Sequence, residues 1–387
     1  VTTKKSAAPV APSFWSTVWA GFGSLELTVA VLVMMMVLVF FGTIHQVQLG
    51  TWLAQKKYFS SWFLYFHTEG GFKFPIFPGG YTVGGLWLVN LLVSHIDPTR
   101  WDRRRLGLLL THAGLFVLLL GQGITQMTAV ESHLDVEEGQ TKSYSENYRE
   151  KELALIDETE AAQDTVHVIP AALLAQEKEL KHPGLPFAIN VKRFFPNALL
   201  GRGSGENLAT QGVGVNVTAR EIPVVTADDQ DNATSAYVEF RADGQSLGTW
   251  LVSNALGAPQ TVVHAGRTYR LELRPTRYYH PFSLTLKDFK HDRYPGTNIP
   301  KNFSSLLRLV DPEKGEDRDV LIYMNNPLRY RGLTFFQQSF GKDDTLSVLQ
   351  VVANPVWVTP YLACLLVSLG LLWHFGISLA RFRRGKP

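Results

Sequence analysis

Only one cysteine, Cys364, stands in 387 residues, and it sits inside an apolar run. One thiol cannot close an internal disulfide, form a CxxC redox pair or supply the CxxCH motif that anchors haem covalently. The chain is therefore neither a c-type cytochrome nor a thiol oxidoreductase. Charge is scarce as well: 18% of residues are Asp, Glu, Lys or Arg against 45% hydrophobic, and the net charge is +3. That balance gives no footprint for a nucleic-acid partner, because the arginines and lysines that cluster do so beside apolar runs. A Walker loop, a nucleophile elbow and a metalloprotease helix are also missing, so the common signatures of catalysis are absent.

Long apolar runs are abundant. A bilayer core of about 30 Å needs roughly 20 helical residues. Four segments offer that length: 25–44 with "LTVAVLVMMMVLVFFGTI", 77–96 with "YTVGGLWLVNLLVSHI", 106–126 "LGLLLTHAGLFVLLLGQGITQ", and 355–380 with "VWVTPYLACLLVSLGLLWHFGISLA". The second reaches spanning length only if the "FPGG" before it lies at membrane depth. Trp357 and Trp373 lie toward the two ends of the fourth, where indoles favour the headgroup boundary. Basic residues set an expected orientation. Lys4 and Lys5 in 1–24, Arg100, Arg103, Arg104 and Arg105 in 97–105, and Arg381, Arg383, Arg384 and Lys386 in 381–387 fall on one side of four spans. The positive-inside rule makes that side cytoplasmic, with both termini inside and the first apolar run a retained anchor.

The outer connection 45–76 carries Trp52, Leu53, Phe59, Trp62, Phe63 and Phe66 among lysines and serines. This pattern suits either a helix lying along the membrane surface or a packed loop capping the bundle. The long polar segment 127–354 reads as short alternating strands, among them "FAINVKRFF", "GVNVTAREI", "AYVEFRA", "TYRLELRPTRYY", "FSLTLKDFK", "SLLRLVD" and "LTFFQQSF", with one helical patch at "AALLAQEKELKH". The expected fold is an integral membrane bundle of four α-helical spans. One large extracytoplasmic all-β domain, an antiparallel sandwich or barrel, is inserted between spans three and four.

His112 lies six residues into the third span. An imidazole in lipid is costly and is a functional candidate by default, although such a residue often only bonds a neighbouring helix. Gly107, Gly114 and Gly121 recur every seven residues and shave one stripe of this helix. His112 projects roughly opposite that stripe, being about 200° from Gly114.

"HPFSLTLKDFKHDRYPGTNIPKNFSSLLRLVD" and "RDVLIYMNNPLRYRGLTFFQQSF", spanning Pro281 to Phe340 and a little beyond, resemble the signature of the ResB-like family of cytochrome c biogenesis proteins. "THAGLFVLLLGQGI" and "NPVWVTPYLACLLVSLGLLWHF" are similar to it too; residues 130–260 resemble it weakly. The resemblance implies a membrane subunit of system II haem attachment, working with a CcsA-type haem lyase subunit. Such a subunit would help move haem b, held transiently and without covalent bonds, across the plasma membrane to apocytochrome c. It implies that the membrane histidine ligates haem iron beside a histidine of the partner. His374 and His95 are further candidates. His374 lies at a depth of about 9 Å from the inner boundary, like His112, so a bis-histidine site between spans three and four is geometrically possible.

The tryptophan-rich outer loop of the CcsA-type partner is absent from this chain, so it is not expected to form thioether bonds alone. His264, His280 and His291 read as surface or sheet residues without metal spacing. "RPTRYYHPF" and "YRGLTFFQQSF" offer an aromatic platform or simply core. Arg329 could meet a haem propionate or a structural carboxylate. The competing function is a structural subunit of a larger membrane or respiratory assembly that binds no haem.

Overall fold

The computed structural model describes residues 13–68, 71–96, 105–160, 163–203, 205–226, 231–297, 299–341 and 344–385. Lys4, Lys5, Arg100, Arg103, Arg104 and Lys386, which carry much of the orientation count, lie outside the described residues. Two compact units form: a helical one that runs to Ala129 and resumes at Asn354, and a β unit between them.

The helices are α1 (Phe14–Phe22), α2 (Leu25–Tyr58), α3 (Gly80–Ile96), α4 (Leu106–Thr128), the single turn α5 (Ala171–Leu174) of the β unit, and α6 (Thr359–Arg383). Ser24 starts α2, its side chain accepting from the Leu27 N–H at 3.2 Å. The following apolar run meets no breaker until Gly50, where φ 74° and ψ 161° turn the helix axis. α2, α4 and α6, with 34, 23 and 25 residues, are long and apolar enough to cross a membrane.

The segment expected as the second span is shorter. α3 has 17 residues, about 26 Å at a rise of about 1.5 Å per residue. The reason lies in "FPGG". Its Phe-Pro belongs to the strand β2 (Lys73–Pro78), paired with β1 (Phe63–His67), and its glycines pack where no side chain fits. A Cβ on Gly79 would sit 2.3 Å from the Ser61 carbonyl oxygen, and one on Gly80 2.3 Å from that of Phe59. The surface helix considered for the outer connection therefore stops at Tyr58, and Phe63 and Phe66 fall in a β-hairpin.

α4 and α6 pack along the glycine stripe. Added Cβ atoms would come within 2.7 Å of the Gly370 carbonyl oxygen at Gly107, 2.8 Å of the Ala363 carbonyl oxygen at Gly114 and 2.4 Å of Thr359 Oγ1 at Gly121. In lipid no hydrophobic force holds two helices together, so close backbone packing must do so. Gly114→Val is expected to push the pair apart and cost about 1–3 kcal/mol. Thermal unfolding of the detergent-solubilised chain measures that loss; an unchanged midpoint would refute the packing argument.

Asn90 of α3 clasps the start of the bundle. It is 1% exposed. Its amide donates to the carbonyls of Phe22 at 2.8 Å and Ser24 at 3.0 Å, and accepts from Thr28 Oγ1 at 2.7 Å. A buried amide so satisfied fixes the rotation of α3 against the turn between α1 and α2.

In the β unit the strands are β3 (Val130–Glu137), β4 (Thr141–Asp157), β5 (Thr165–Pro170), β6 (Glu179–Leu180), β7 (Ala188–Phe195), β8 (Ala198–Gly201), β9 (Thr218–Glu221), β10 (Ser235–Ala242), β11 (Gln245–Ser253), β12 (Gln260–His264), β13 (Arg267–Arg293), β14 (Pro300–Asp311), β15 (Glu316–Tyr323), β16 (Leu328–Tyr330), β17 (Leu333–Gly341) and β18 (Leu346–Ala353). Ten make one antiparallel sheet in the order β15-β14-β13-β4-β3-β18-β17-β16, with β12 and β5 beside β13 and β4. Four more stack as β11-β10-β7-β6. The long strands β4 and β13 serve two cores. Their first paired stretch, with Leu153, Leu155, Leu271 and Leu273, packs on Ile189, Val238 and Phe240 as a sandwich. Beyond the register break at Pro275 the large sheet curls nearly closed around Leu284, Leu307, Phe335 and Leu349. Sandwich and barrel are thus both present.

Two sequence expectations fail locally. "AALLAQEKELKH" keeps one helical turn, because Glu177 takes a φ of 49° and its carboxylate accepts from the Phe194 N–H at 2.8 Å. "GVNVTAREI" begins as a 3-10 turn, Val213–Asn216, before β9.

Acid should loosen this unit. Glu239 accepts from Lys192 Nζ at 2.9 Å and Asn190 Nδ2 at 3.1 Å, and the lysine holds its carboxyl down at about 2 from 4.5. Arg331 likewise holds Asp311 well below the usual carboxylate range. A depressed folded pKa means stability that is full above the unfolded value and lost as pH falls through the folded one. Urea midpoints are therefore expected to drop from about pH 5 to pH 2, and a Glu239→Gln chain to drop less.

Candidate functional site

The stripe of α4 that meets α6 leaves the opposite face to α3, and His112 points there. Its Nδ1 lies 2.9 Å from His95 Nε2, with ring centroids 4.6 Å apart and planes inclined by 60°. His95 Nδ1 lies 2.8 Å from the Leu91 carbonyl oxygen one turn back on α3. A carbonyl can only accept, so His95 Nδ1 carries the proton. In the neutral pair His95 Nε2 then accepts, and His112 Nδ1 must be the donor. The network assigns the remaining lone pair to His112 Nε2, which makes no hydrogen bond to a described residue. A second histidine that fixes the tautomer and orientation of the first is the arrangement that raises the basicity of a metal-ligating imidazole.

The possible His112–His374 pair is not what forms. His374 sits on α6, its backbone nitrogen and Cβ close against Gly107, and the residue is exposed with its ring beside Phe375. The helix that carries it packs on the glycine face of α4, whereas His112 and His95 share the other. His95, the third candidate in the sequence, is the residue brought into contact. Both histidines lie near the same connection, 97–105, and an antiparallel pair joined so tightly is the signal that was readable. The rotation of α3 set by Asn90 was not.

The outer candidates have ordinary partners. His264 ends β12 with its ring edge toward Phe187, 6.2 Å between centroids. His280 Nε2 is 3.1 Å from Ser145 Oγ, and its ring stacks on Phe282. The His291 side chain is buried, with Nδ1 2.8 Å from Asp344 Oδ1. Among the described residues no three His, Cys, Asp or Glu side chains converge as a metal site.

Arg329 is exposed on β16, and in the same tract Arg331 bridges to the Asp311 carboxylate. Arg331 Nε and a terminal nitrogen reach Asp311 at 2.6 and 2.9 Å, and Tyr330 donates to the same carboxylate at 2.6 Å. In the aromatic tract, Arg277 lies 4.4 Å over the Tyr144 ring, and Tyr279 beside it is 56% exposed.

The sequence model of the ResB-like family matches residues 244–354. The match begins at the hairpin between β10 and β11 and runs through β18, so it contains the whole Pro281–Phe340 tract. A stretch of 103 residues is 41% identical to Protein NrfI of Wolinella succinogenes, covering 27% of this chain and 11% of that protein. The chain thus carries a ResB-like segment, and the match spans only a small part of its relative.

Proposed function

We propose that the chain, ResB-like in its β unit and membrane-embedded in its helical one, is a subunit of a system II cytochrome c maturation complex. It assists passage of haem b through the plasma membrane and its presentation to apocytochrome c. The β unit faces outward and both termini inward, with α3 as a short fourth span between α2 and α4. The observation that carries the reading is the contact of His112 Nδ1 with His95 Nε2 at 2.9 Å, continued from His95 Nδ1 to the Leu91 carbonyl, which assigns the lone pair to His112 Nε2.

Haem here is cargo, and imidazole nitrogen is a common ligand for its iron. His95 cannot be the second axial ligand of the same iron, since 2.9 Å between the two nitrogens leaves no space for a metal. Nor does His374 face His112. The second ligand is the one the family resemblance implies, a histidine of a CcsA-type partner. His112 Nε2 supplies the lone pair, His95 holds its ring and proton, and the glycine seam between α4 and α6 keeps the rest of the helix from shifting.

The test is a reduced-minus-oxidised pyridine haemochrome spectrum of the chain purified with and without a coexpressed CcsA-type subunit. Haem in the complex supports conduction. Absence of haem from both preparations would leave the structural-subunit reading.

A further inference from the structure

The connection between α2 and α3 bears an apolar surface that haem passage does not use. Trp62, Phe63, Phe66, Phe72, Phe74 and Ile76 are each between 43% and 75% exposed. Successive residues of a strand point to opposite faces, so the hairpin β1–β2 is apolar on both sides. Among the described residues Phe66 meets Phe74 at 5.4 Å and Trp62 meets Tyr81 at 5.6 Å between centroids, and Leu64 and Phe77 lean on the core of α2 and α3. A two-stranded hairpin on its own is marginal in water. Beyond Leu64 and Phe77, water would meet apolar side chains on this one.

Charge selects the occupant. Residues 51–80 contain Lys56, Lys57 and Lys73 against one carboxylate, Glu69. Lys56 Nζ lies 4.8 Å over the Trp52 ring, past the Gly50 bend where the apolar run of α2 has ended. Basic side chains next to exposed aromatics, directly continuous with a bilayer-length helix, match the boundary between acyl chains and anionic headgroups. A docked protein would cover one face; lipid surrounds both.

We infer that the hairpin and the last two turns of α2 insert into the bilayer boundary, aromatic side chains among the upper acyl chains and lysines on anionic headgroups. This rests on membrane embedding alone and is independent of haem. It makes the connection a lateral anchor that fixes how deep α2 and α3 sit.

The experiment uses the full chain with Cys364→Ser, which frees the sequence of thiols, and a nitroxide label at Phe72→Cys or Ile76→Cys. The labelled protein is reconstituted in phosphatidylcholine vesicles with and without phosphatidylglycerol. Collisional access to oxygen and to a water-soluble nickel chelate is compared with that of Val263→Cys, an exposed strand position. Both hairpin labels are expected to meet oxygen severalfold more readily than nickel, with Val263→Cys the reverse. Phosphatidylglycerol should deepen them, and the combined Lys56→Gln, Lys57→Gln, Lys73→Gln chain should lose that response. Free nickel access at both positions would overturn insertion, as would labels shielded from both reagents, which would mean a protein cover. Equal depth in the two kinds of vesicle would overturn the role of the lysines.

Discussion

Arg274→Met is expected to destabilise the β unit by about 3–5 kcal/mol, the usual result of stranding one member of a buried ion pair. Arg274 and Glu152 are 6% and 4% exposed and face each other across β13 and β4. Arg274 Nε lies 3.1 Å from Glu152 Oε1, and its terminal nitrogens reach Glu272 at 3.0 Å and the Tyr279 hydroxyl at 3.3 Å. Without the guanidinium, Glu152 must stay charged in a closed seam or take up a proton. The double change Arg274→Met, Glu152→Leu removes both charges and should recover most of the loss. Trp250 reports the transition, because it is the one tryptophan between Val130 and Ala353 and lies 6% exposed against Phe240. A single variant as stable as the parent in urea would show that the pair contributes nothing.

The same pair explains why much of β4 was hidden in the sequence. "AYVEFRA" and "FSLTLKDFK" read as strands because they alternate apolar residues with polar ones. "TKSYSENYREKELALID" does not: its first part mixes exposed and half-buried residues around a buried Ser145, and from Lys151 to Asp157 every residue is buried. Where the large sheet is covered on both faces, Lys151 and Glu152 are paid for by partners in space, Asp231 and Arg274, that no local pattern displays. β13 was split in two at "RYYHPF" because Pro281 looks like an end; the strand absorbs it as a break in register between Tyr279 and Leu284 instead.

In the helical unit, composition sufficed for α2, α4 and α6, since apolarity over about 20 residues needs no tertiary information. It found the helix α3 but neither its start nor the hairpin before it, where the decisive fact is the approach of Gly79 and Gly80 to the 59–61 backbone. The site was half legible. His112 stood out as an imidazole in an apolar run roughly opposite the glycine stripe, while the helix that meets that stripe, α6, was not readable. Its contact with His95 depends on how α3 is rotated, which three hydrogen bonds of Asn90 decide.

On the proposed role of His112 as a haem ligand, that contact yields the largest functional effect. His112→Ala in the complex with a CcsA-type subunit is expected to remove haem from the membrane site altogether, because no described residue of this chain offers a second free imidazole on that face. His95→Leu keeps the ligand but deletes its acceptor. His112 Nδ1–H is then unpaired in an apolar setting, its ring turns to find a partner, and haem affinity should fall about 10–100-fold, the range for losing an orienting partner behind a metal ligand. His95→Gln separates positioning from mere packing. Its amide oxygen can accept from Nδ1–H and should restore most of the affinity, whereas Leu of similar bulk cannot. Haem titration gives the affinities, and electron paramagnetic resonance of the ferric complex gives the ligand orientation, which a packing role would leave untouched. Equal affinity and identical spectra for parent and His95→Leu would show that the relay does not orient His112. Full haem content in His112→Ala would remove the ligand itself.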